Sequence, residues 1–198
     1  DSTWAPGQTL MVRFLDGDAV LHKRVQTWAE EWMKHANVRF AFGETPNAAI
    51  RISFLRRGSW SFLGRDCLNV PIADPTMNFG WLKPDTKDEE VGRVVLHEFG
   101  HALGCIHEHN HPDGGIHWNK DAVYEYYAGP LNFWTREQVD ANLFAVYQQD
   151  LTVHSALDPQ SIMMYPIDAR FTTDGFSVGL NTLLSPTDVA FIRTLYPF

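Results

Sequence analysis

The segment that most constrains how this chain can fold is His97–His107, which reads HEFGHALGCIH. His97 and His101 are four residues apart, so a helix would place both imidazoles on one side, one turn apart. His107 follows Gly104, and glycine readily adopts the left-handed conformation that ends a helix and turns the chain back. The segment therefore predicts a helix, a sharp turn and three imidazoles that meet at one point.

Three imidazoles at one point match the ligand set of a catalytic zinc site, because three protein ligands leave the fourth tetrahedral position open for water. Glu98 flanks the histidine side of the helix, where its carboxylate could take a proton from that water. The alternative is a buried helix whose histidines are only hydrogen-bonded, but the spacing H-E-x-x-H-x-x-G-x-x-H favours zinc. We therefore predict one Zn²⁺ per chain on His97, His101 and His107, with Glu98 as the general base.

The pattern of apolar residues predicts an α+β fold with an irregular C-terminal half. Helical spacing occurs in four segments: 18–36, Asp88–Leu103, Lys120–Tyr127 and Thr135–Tyr147. A fifth predicted helix begins at Ser185-Pro186. Strand patterns occur in five segments, Thr9–Leu15, Val38–Phe42, Ala49–Phe54, Ser59–Leu63 and Cys67–Ile72. Turn-forming residues make 71–84 a predicted loop. We expect a twisted mixed sheet with helices in the N-terminal half and the zinc cleft between the two halves.

A second motif lies well downstream of the histidines: residues 158–165 read DPQSIMMY and contain S-I-M-x-Y. HExxHxxGxxH followed by a separate S-I-M-x-Y resembles the metzincin zinc proteases and, more narrowly, the astacin family. Three further stretches are similar to astacins: His107-Glu108-His109, SWSFLG at 59–64 and the closing LSPTDVAFIRTLY. The resemblance spans the chain from about residue 9 onward and is most specific at the histidine segment.

The resemblance implies a metzincin-type fold with a five-stranded sheet and an endopeptidase activity on protein or peptide substrates. It implies that Met163 forms a turn beneath the metal. It also implies that Tyr165 is a mobile fifth metal ligand, which swings off and donates a hydrogen bond to the oxyanion. Cys67–Ile72 would then be the edge strand that holds an extended peptide antiparallel.

The chain also departs from the usual astacin pattern. Astacin domains usually carry four cysteines, whereas this chain has Cys67 and Cys105 alone. A disulfide between them would close a loop of about 40 residues, and two buried thiols are an equally good interpretation. In astacins the mature N-terminus pairs with the glutamate at the position of Glu108. The first residues of this chain do not match the usual mature start, so we do not extend that pairing to it, and we assign Glu108 no catalytic role. These departures indicate a divergent, microbial branch.

Three more histidines, His109, His111 and His117, lie in or beside the segment that follows the zinc motif. No ligand spacing of a recognised metal site appears there, so a solvated or supporting role is favoured over a second metal. Arg170 lies seven residues after Met163, where a positive charge would favour an acidic substrate side chain; a solvated arginine is the alternative.

Composition and charge exclude several classes of function and partner. With 198 residues and 44% hydrophobic content, the chain supports one core, and we predict a single catalytic domain over 1–198. The net charge of −8 argues against nucleic acid or an anionic membrane surface as a partner. No apolar run could span a membrane, and no signal segment opens the chain. The resemblance implies a secreted enzyme, and for such an enzyme the missing signal segment indicates a mature form. We also expect a monomer. The rivals are a zinc hydrolase for a non-peptide amide or ester, and a zinc-stabilised binding module, which would not need Glu98.

Overall fold

A computed structural model of the protein describes residues 2–110, 115–130, 132–145 and 157–198. The chain forms two compact units, one from Asp1–Cys105 with Thr182–Phe198 and the other from Ile106–Asn181. No helix within the described ranges combines the length and the apolar content that a membrane span requires.

The first unit is built on a five-stranded mixed sheet of order β2-β1-β3-β5-β4. Its strands are β1 Thr9–Phe14, β2 Arg39–Phe42, β3 Ile50–Ser53, β4 Ser59–Ser61 and β5 Met77–Phe79. The pairs β1–β2, β1–β3 and β3–β5 are parallel, whereas β4 runs antiparallel to β5 with Trp60 opposite Asn78. The mixed sheet, with helices in the same unit, confirms the predicted α+β class.

The predicted strand Cys67–Ile72 is wrong. Gly64–Asn69 forms a 3₁₀ helix, and the fifth strand is β5, which lies inside the predicted loop 71–84. Gly64 begins this helix with φ of 45°, and a Cβ atom there would lie 1.8 Å from the Ser2 carbonyl oxygen. The left-handed backbone and the close N-terminal segment therefore require glycine where this helix begins, and β4 is the edge strand in place of Cys67–Ile72.

Arg51, on β3, fixes the shape of the segment between the 3₁₀ helix and β5. Its buried guanidinium donates hydrogen bonds to the backbone carbonyls of Ala48, Val70, Pro71 and Asp74 at 2.8–3.1 Å. A carbonyl that accepts a hydrogen bond from a guanidinium is already satisfied and does not need a partner on a neighbouring strand. This long-range capture explains why the segment is a loop although its residues suit a strand.

Two helices pack together in the first unit, α1 Ala19–Ala29 and α2 Asp88–Ala102. The predicted helix 18–36 is shorter than expected, because α1 ends at Ala29 and a separate 3₁₀ turn follows at Trp32–Lys34. Gly92 allows a close approach of the two helices, since a Cβ atom there would lie 2.6 Å from the Trp28 ring. The C-terminal helix Pro186–Leu195 begins as predicted, with a capping box between Ser185 and Asp188.

Residues near both ends of the described chain donate hydrogen bonds to carbonyls at the C-terminal end of α2. The Trp4 indole donates to the Ala102 carbonyl at 2.7 Å, and the Tyr196 hydroxyl donates to the Leu103 carbonyl at 2.6 Å. These carbonyls lie in the last turn of a helix, where no backbone N–H is available to them within the helix. The two aromatic side chains therefore satisfy buried acceptors at the point where the metal motif leaves the helix.

The second unit is mostly irregular, as predicted. Its helices are α3 Lys120–Ala128 and α4 Arg136–Val139, and α4 continues as a π-helical turn over Asp140–Phe144. The predicted helix 135–147 thus agrees over its first part, and Tyr147 lies outside the described residues. Apolar side chains from these helices and from the downstream segment form one buried cluster: Val123, Val139, Leu143, Met164, Ile167, Phe171 and Val178.

We predict that Trp4→Phe destabilises the protein, because phenylalanine keeps most of the packing but leaves the buried Ala102 carbonyl without its donor. The expected loss is about 1 kcal/mol in the free energy of unfolding, measured by urea titration. Trp81→Phe is the matched control: Trp81 is 47% exposed and its indole donates to Glu90 at the surface. Equal effects of the two substitutions would contradict a special role for the Trp4 hydrogen bond.

Candidate metal centre

The three motif histidines come together as predicted. The ring nitrogens of His97, His101 and His107 that could bind a metal all lie within 4.8 Å of one another. Within the described ranges no other group of three or more His, Cys, Asp or Glu side chains meets the same criterion. The set supplies nitrogen ligands alone, which suits zinc.

A Schellman turn at Gly104 brings the third histidine back toward the helix. Gly104 has φ of 94°, its N–H donates to the His101 carbonyl at 2.8 Å, and the Cys105 N–H donates to the Gly100 carbonyl at 3.0 Å. This pair of hydrogen bonds is the motif that ends many helices at a left-handed glycine. The predicted role of Gly104 is confirmed, and the turn explains why the ligand spacing changes from four residues to six.

His101 is prepared for metal binding by its own turn. Its Nδ1 lies 2.8 Å from the Cys105 carbonyl oxygen, which can only accept, so Nδ1 carries the proton and Nε2 keeps its lone pair. Burial lowers the pKa of His101 to about 4, and the hydrogen bond to Cys105 opposes this shift in part. The imidazole is therefore neutral at pH 7, and Nε2 is the nitrogen that could bind a metal.

Glu98 is a buried carboxylate on the same helix, with 5% of its surface exposed. Its Oε2 accepts no hydrogen bond from the part of the chain that the structure describes. Burial raises the pKa of Glu98 to about 8, and Arg93 lowers it in part. A buried acceptor without a donor, on the helix that carries two of the histidines, fits a site that is completed by a cation and a polar substrate or water.

The S-I-M-x-Y segment forms a buried turn that is tied to the third histidine. The Met163 N–H donates to Ser161 Oγ, and the Glu108 N–H donates to the Met163 carbonyl, each at 3.0 Å. Glu108 Oε1 in turn accepts from the Asp158 N–H at 2.7 Å. Glu108 directly follows the predicted ligand His107, and its two hydrogen bonds attach it to Asp158 and to Met163, on either side of Ser161. The sequence did not reveal this role.

Tyr165 lies beside the third ligand in a cluster of three aromatic rings. Its ring centroid is 4.4 Å from that of His107 and 4.8 Å from that of His109, and the two histidine rings are 4.9 Å apart. His109 is buried, with 5% of its surface exposed, and its Nε2 lies 2.9 Å from the Asn142 carbonyl oxygen. The structure therefore places Tyr165 next to the predicted ligand His107, and adds His109, whose burial was not predicted.

Among the described residues, His117 does not belong to the group of histidines that could hold a metal. Of the other loop histidines, His117 contacts Asp174 at 2.8 Å, and His111 lies outside the described residues. Arg170 forms an exposed ion pair with Asp168 at 3.2 Å, which leaves its proposed role in substrate selection a prediction.

The two cysteines are buried thiols and do not form the disulfide that was one of the two alternatives. Cys105 lies in the turn that ends the metal helix, and Cys67 lies in the 3₁₀ helix that replaces the predicted strand. Burial raises the pKa of Cys67 to about 11, so its sulfur stays protonated at neutral pH. Both side chains therefore act as small apolar residues in the core of the first unit.

Comparison with known proteins connects this site to a family. The model of the astacin peptidase family matches residues 2–197, which is nearly the whole chain. Bone morphogenetic protein 1 of Xenopus laevis is 27% identical over 173 residues, which are 83% of this chain and 23% of that protein. The chain therefore spans about a quarter of that relative's length.

Solved structures show the same likeness. A structure of myroilysin matches with a TM-score of 0.98 and 47% identity, over 100% of this chain and 96% of that one. High choriolytic enzyme 1, a hatching-enzyme zinc protease from the medaka fish Oryzias latipes, matches with a TM-score of 0.67 and 17% identity. That match covers 98% of this chain and 94% of the medaka chain, and at this identity it shows a shared fold.

The burial of Glu98 predicts a pH-dependent effect of Glu98→Gln on the metal-free protein. The folded-state pKa of about 8 lies above the ordinary value of 4.5, so wild-type stability falls as the pH rises from 4.5 through 8. Glutamine carries no charge at any pH. Thermal melts in a strong chelator should show little difference at about pH 5 and a higher midpoint for the variant at about pH 9. An equal shift at both pH values would contradict burial of the charge as the cause.

Proposed function

The chain belongs to the astacin family of peptidases, and we propose that it is a zinc-dependent endopeptidase that hydrolyses protein or peptide substrates. The observation that carries the proposal is the group His97, His101 and His107, with ring nitrogens within 4.8 Å of one another, on and directly after the helix that also buries Glu98. A binding module would gain nothing from a buried carboxylate at this position, since such a group destabilises the fold.

Zinc is the metal that the donor set fits best, and we propose one ion per chain. The three histidines would hold it, with the Tyr165 phenol as an additional ligand beside His107. When bound, Zn²⁺ lowers the pKa of a water molecule toward about 7 and polarises the scissile carbonyl. The neutral state of His101 at pH 7 supports this assignment, because a protonated imidazole could not be a ligand.

Glu98 is the proposed general base. It directly follows His97 in the chain, and its Oε2 accepts no hydrogen bond from the described residues. A divalent cation nearby would stabilise the ionised carboxylate and so lower the pKa that burial raises. Glu98 could then accept the proton of the attacking water and pass it to the leaving amine.

Tyr165 is the proposed oxyanion donor. Its ring contacts His107, so its hydroxyl can be near the reacting carbonyl while the histidine binds the metal. A phenol that donates to the developing oxyanion contributes mainly in the transition state, on the order of 3 kcal/mol. We therefore assign Tyr165 to the chemical step and give Met163 and Glu108 no contact with substrate.

Strand β4 is the proposed binding edge for an extended peptide. It is the last strand of the sheet, and its one partner in that sheet is β5. Backbone hydrogen bonds to a free edge provide affinity without demanding a particular substrate sequence. This assignment replaces Cys67–Ile72, which is not a strand.

We further propose that residues 1–198 act as a single catalytic domain that is monomeric and works outside the cell. The net charge of −8 supports a protein or peptide partner over nucleic acid or an anionic membrane. The rival function, hydrolysis of a non-peptide amide or ester, would use the same metal ligands and differs in the substrate that turns over.

Metal removal tests the proposal and separates the rivals. We expect hydrolysis of denatured casein that stops in a strong chelator and returns when about one zinc per chain is added. Elemental analysis of the active protein should find one zinc per chain. Casein hydrolysis that survives complete metal removal would refute the proposal. Metal-dependent turnover of esters without turnover of casein would favour the rival hydrolase.

Glu98→Gln should abolish peptide hydrolysis while zinc remains bound, because the three ligands are intact. We expect kcat/KM to fall by about 10³-fold or more, with zinc content unchanged by elemental analysis. Glu90→Gln is the matched control, since Glu90 lies on the same helix and pairs with Arg93. Near-normal turnover in zinc-loaded Glu98→Gln would rule out Glu98 as the base.

A further inference from the structure

His109 is a buried histidine that the mechanism above does not use. It lies two residues after the ligand His107 and does not belong to the group of metal-ligating side chains. Its ring is stacked on both neighbours, at 20° to the His107 ring and 30° to the Tyr165 ring. A histidine that only fills core space need not be stacked on both a ligand and the proposed oxyanion donor.

A hydrogen bond to the π-helical turn fixes the His109 ring. Its Nε2 lies 2.9 Å from the Asn142 carbonyl oxygen, which can only accept, so Nε2 carries the proton. The next residue is held in the same way, because Asn110 Nδ2 donates to the Ala145 carbonyl at 2.6 Å. The segment after the third ligand is therefore attached to the end of the π-helical turn at two consecutive residues.

The π-helical turn is itself well anchored. The Ala145 N–H donates to the Asp140 carbonyl at 2.8 Å, five residues back, and the Asn142 side chain donates to the Gln138 carbonyl at 2.7 Å. Val139 and Leu143 bury their side chains in the apolar cluster of the second unit. A π turn often occurs where a helix is adapted to a functional site. In this protein it presents the Asn142 carbonyl to His109.

We propose that His109 is a positioning residue that holds the Tyr165 ring in its working orientation through the anchor on Asn142. The inference rests on the proposed catalytic role of Tyr165. A tyrosine ring turns about two side-chain bonds, and a flat neighbour stacked on its face restricts both rotations. With the ring held, the hydroxyl stays where it can act; without His109, the ring samples other orientations and the chemical step slows.

A double-mutant cycle tests this inference. His109→Leu should lower kcat about tenfold with KM and zinc affinity little changed, because the binding groups remain. Tyr165→Phe should lower kcat about a hundredfold. In the Tyr165→Phe background, His109→Leu should have no further effect, since the hydroxyl that it positions is gone. The same loss in both backgrounds would overturn the proposal and indicate a general structural role.

Two further variants control for folding. His109→Phe keeps a flat ring but loses the Nε2 donor, so its kcat should lie between those of the wild type and His109→Leu. This variant decides the question if His109→Leu does not fold. His117→Leu removes an exposed histidine from the same unit and should leave kcat unchanged. A kcat for His109→Phe below that of a folded His109→Leu would overturn the role of the ring.

A spectroscopic measurement makes the test independent of activity. In zinc-loaded protein with ¹³C-labelled tyrosine, the Tyr165 ring signal is identified by its loss in Tyr165→Phe. The neighbouring rings of His107 and His109 should both shift this signal from its position in the unfolded chain, and His109→Leu should remove the contribution of His109 and leave that of His107. An unchanged Tyr165 signal in His109→Leu would overturn the proposal. Full kcat in Tyr165→Phe would instead show that the proposed function of Tyr165 has failed, whatever the ring signal does.

Discussion

The turn at Gly104 is the constraint on which the metal site depends. A left-handed glycine ends α2 directly after His101 and lets His107 return to the other two ligands. The same turn offers the Cys105 carbonyl to His101 and so fixes its tautomer. Trp4 and Tyr196, which are distant in sequence, satisfy the helix carbonyls at this point. Parts of the chain that lie outside the metal motif therefore help to determine where its ligands lie.

Burial shifts the pKa values of two side chains in the predicted metal site. It raises the pKa of Glu98 to about 8 and lowers that of His101 to about 4, so both side chains favour their neutral forms in the absence of metal. A bound cation would favour the ionised carboxylate and would accept the lone pair of the imidazole. At neutral pH the buried Glu98 therefore destabilises the metal-free fold, and binding of a cation would offset this effect.

Local signals in the sequence were sufficient for the helix, its glycine turn, the meeting of the three histidines and the caps of the last helix, because each depends on residues a few positions apart. The fifth strand was missed, since Met77–Phe79 has only three residues, too few for a periodic pattern, and lies in a segment rich in turn-forming residues. Cys67–Ile72 was misassigned because its first residues belong to a 3₁₀ helix and the carbonyls of Val70 and Pro71 accept hydrogen bonds from Arg51, which lies on an earlier strand. The burial of His109 depends on a π-helical turn about 33 residues away, and no periodicity predicts such a turn.

Arg51 also bears on how this part of the fold can evolve. Three of the four backbone carbonyls that its guanidinium binds belong to the segment 70–74, so that segment is held through its main chain. Substitutions within that segment can accumulate without changing its path, whereas a lysine in place of Arg51 has one ammonium group and could not reach the same acceptors in a fixed geometry. One buried arginine can thus maintain the path of a loop whose side chains vary. Sequence differences within this loop would then say little about its backbone conformation.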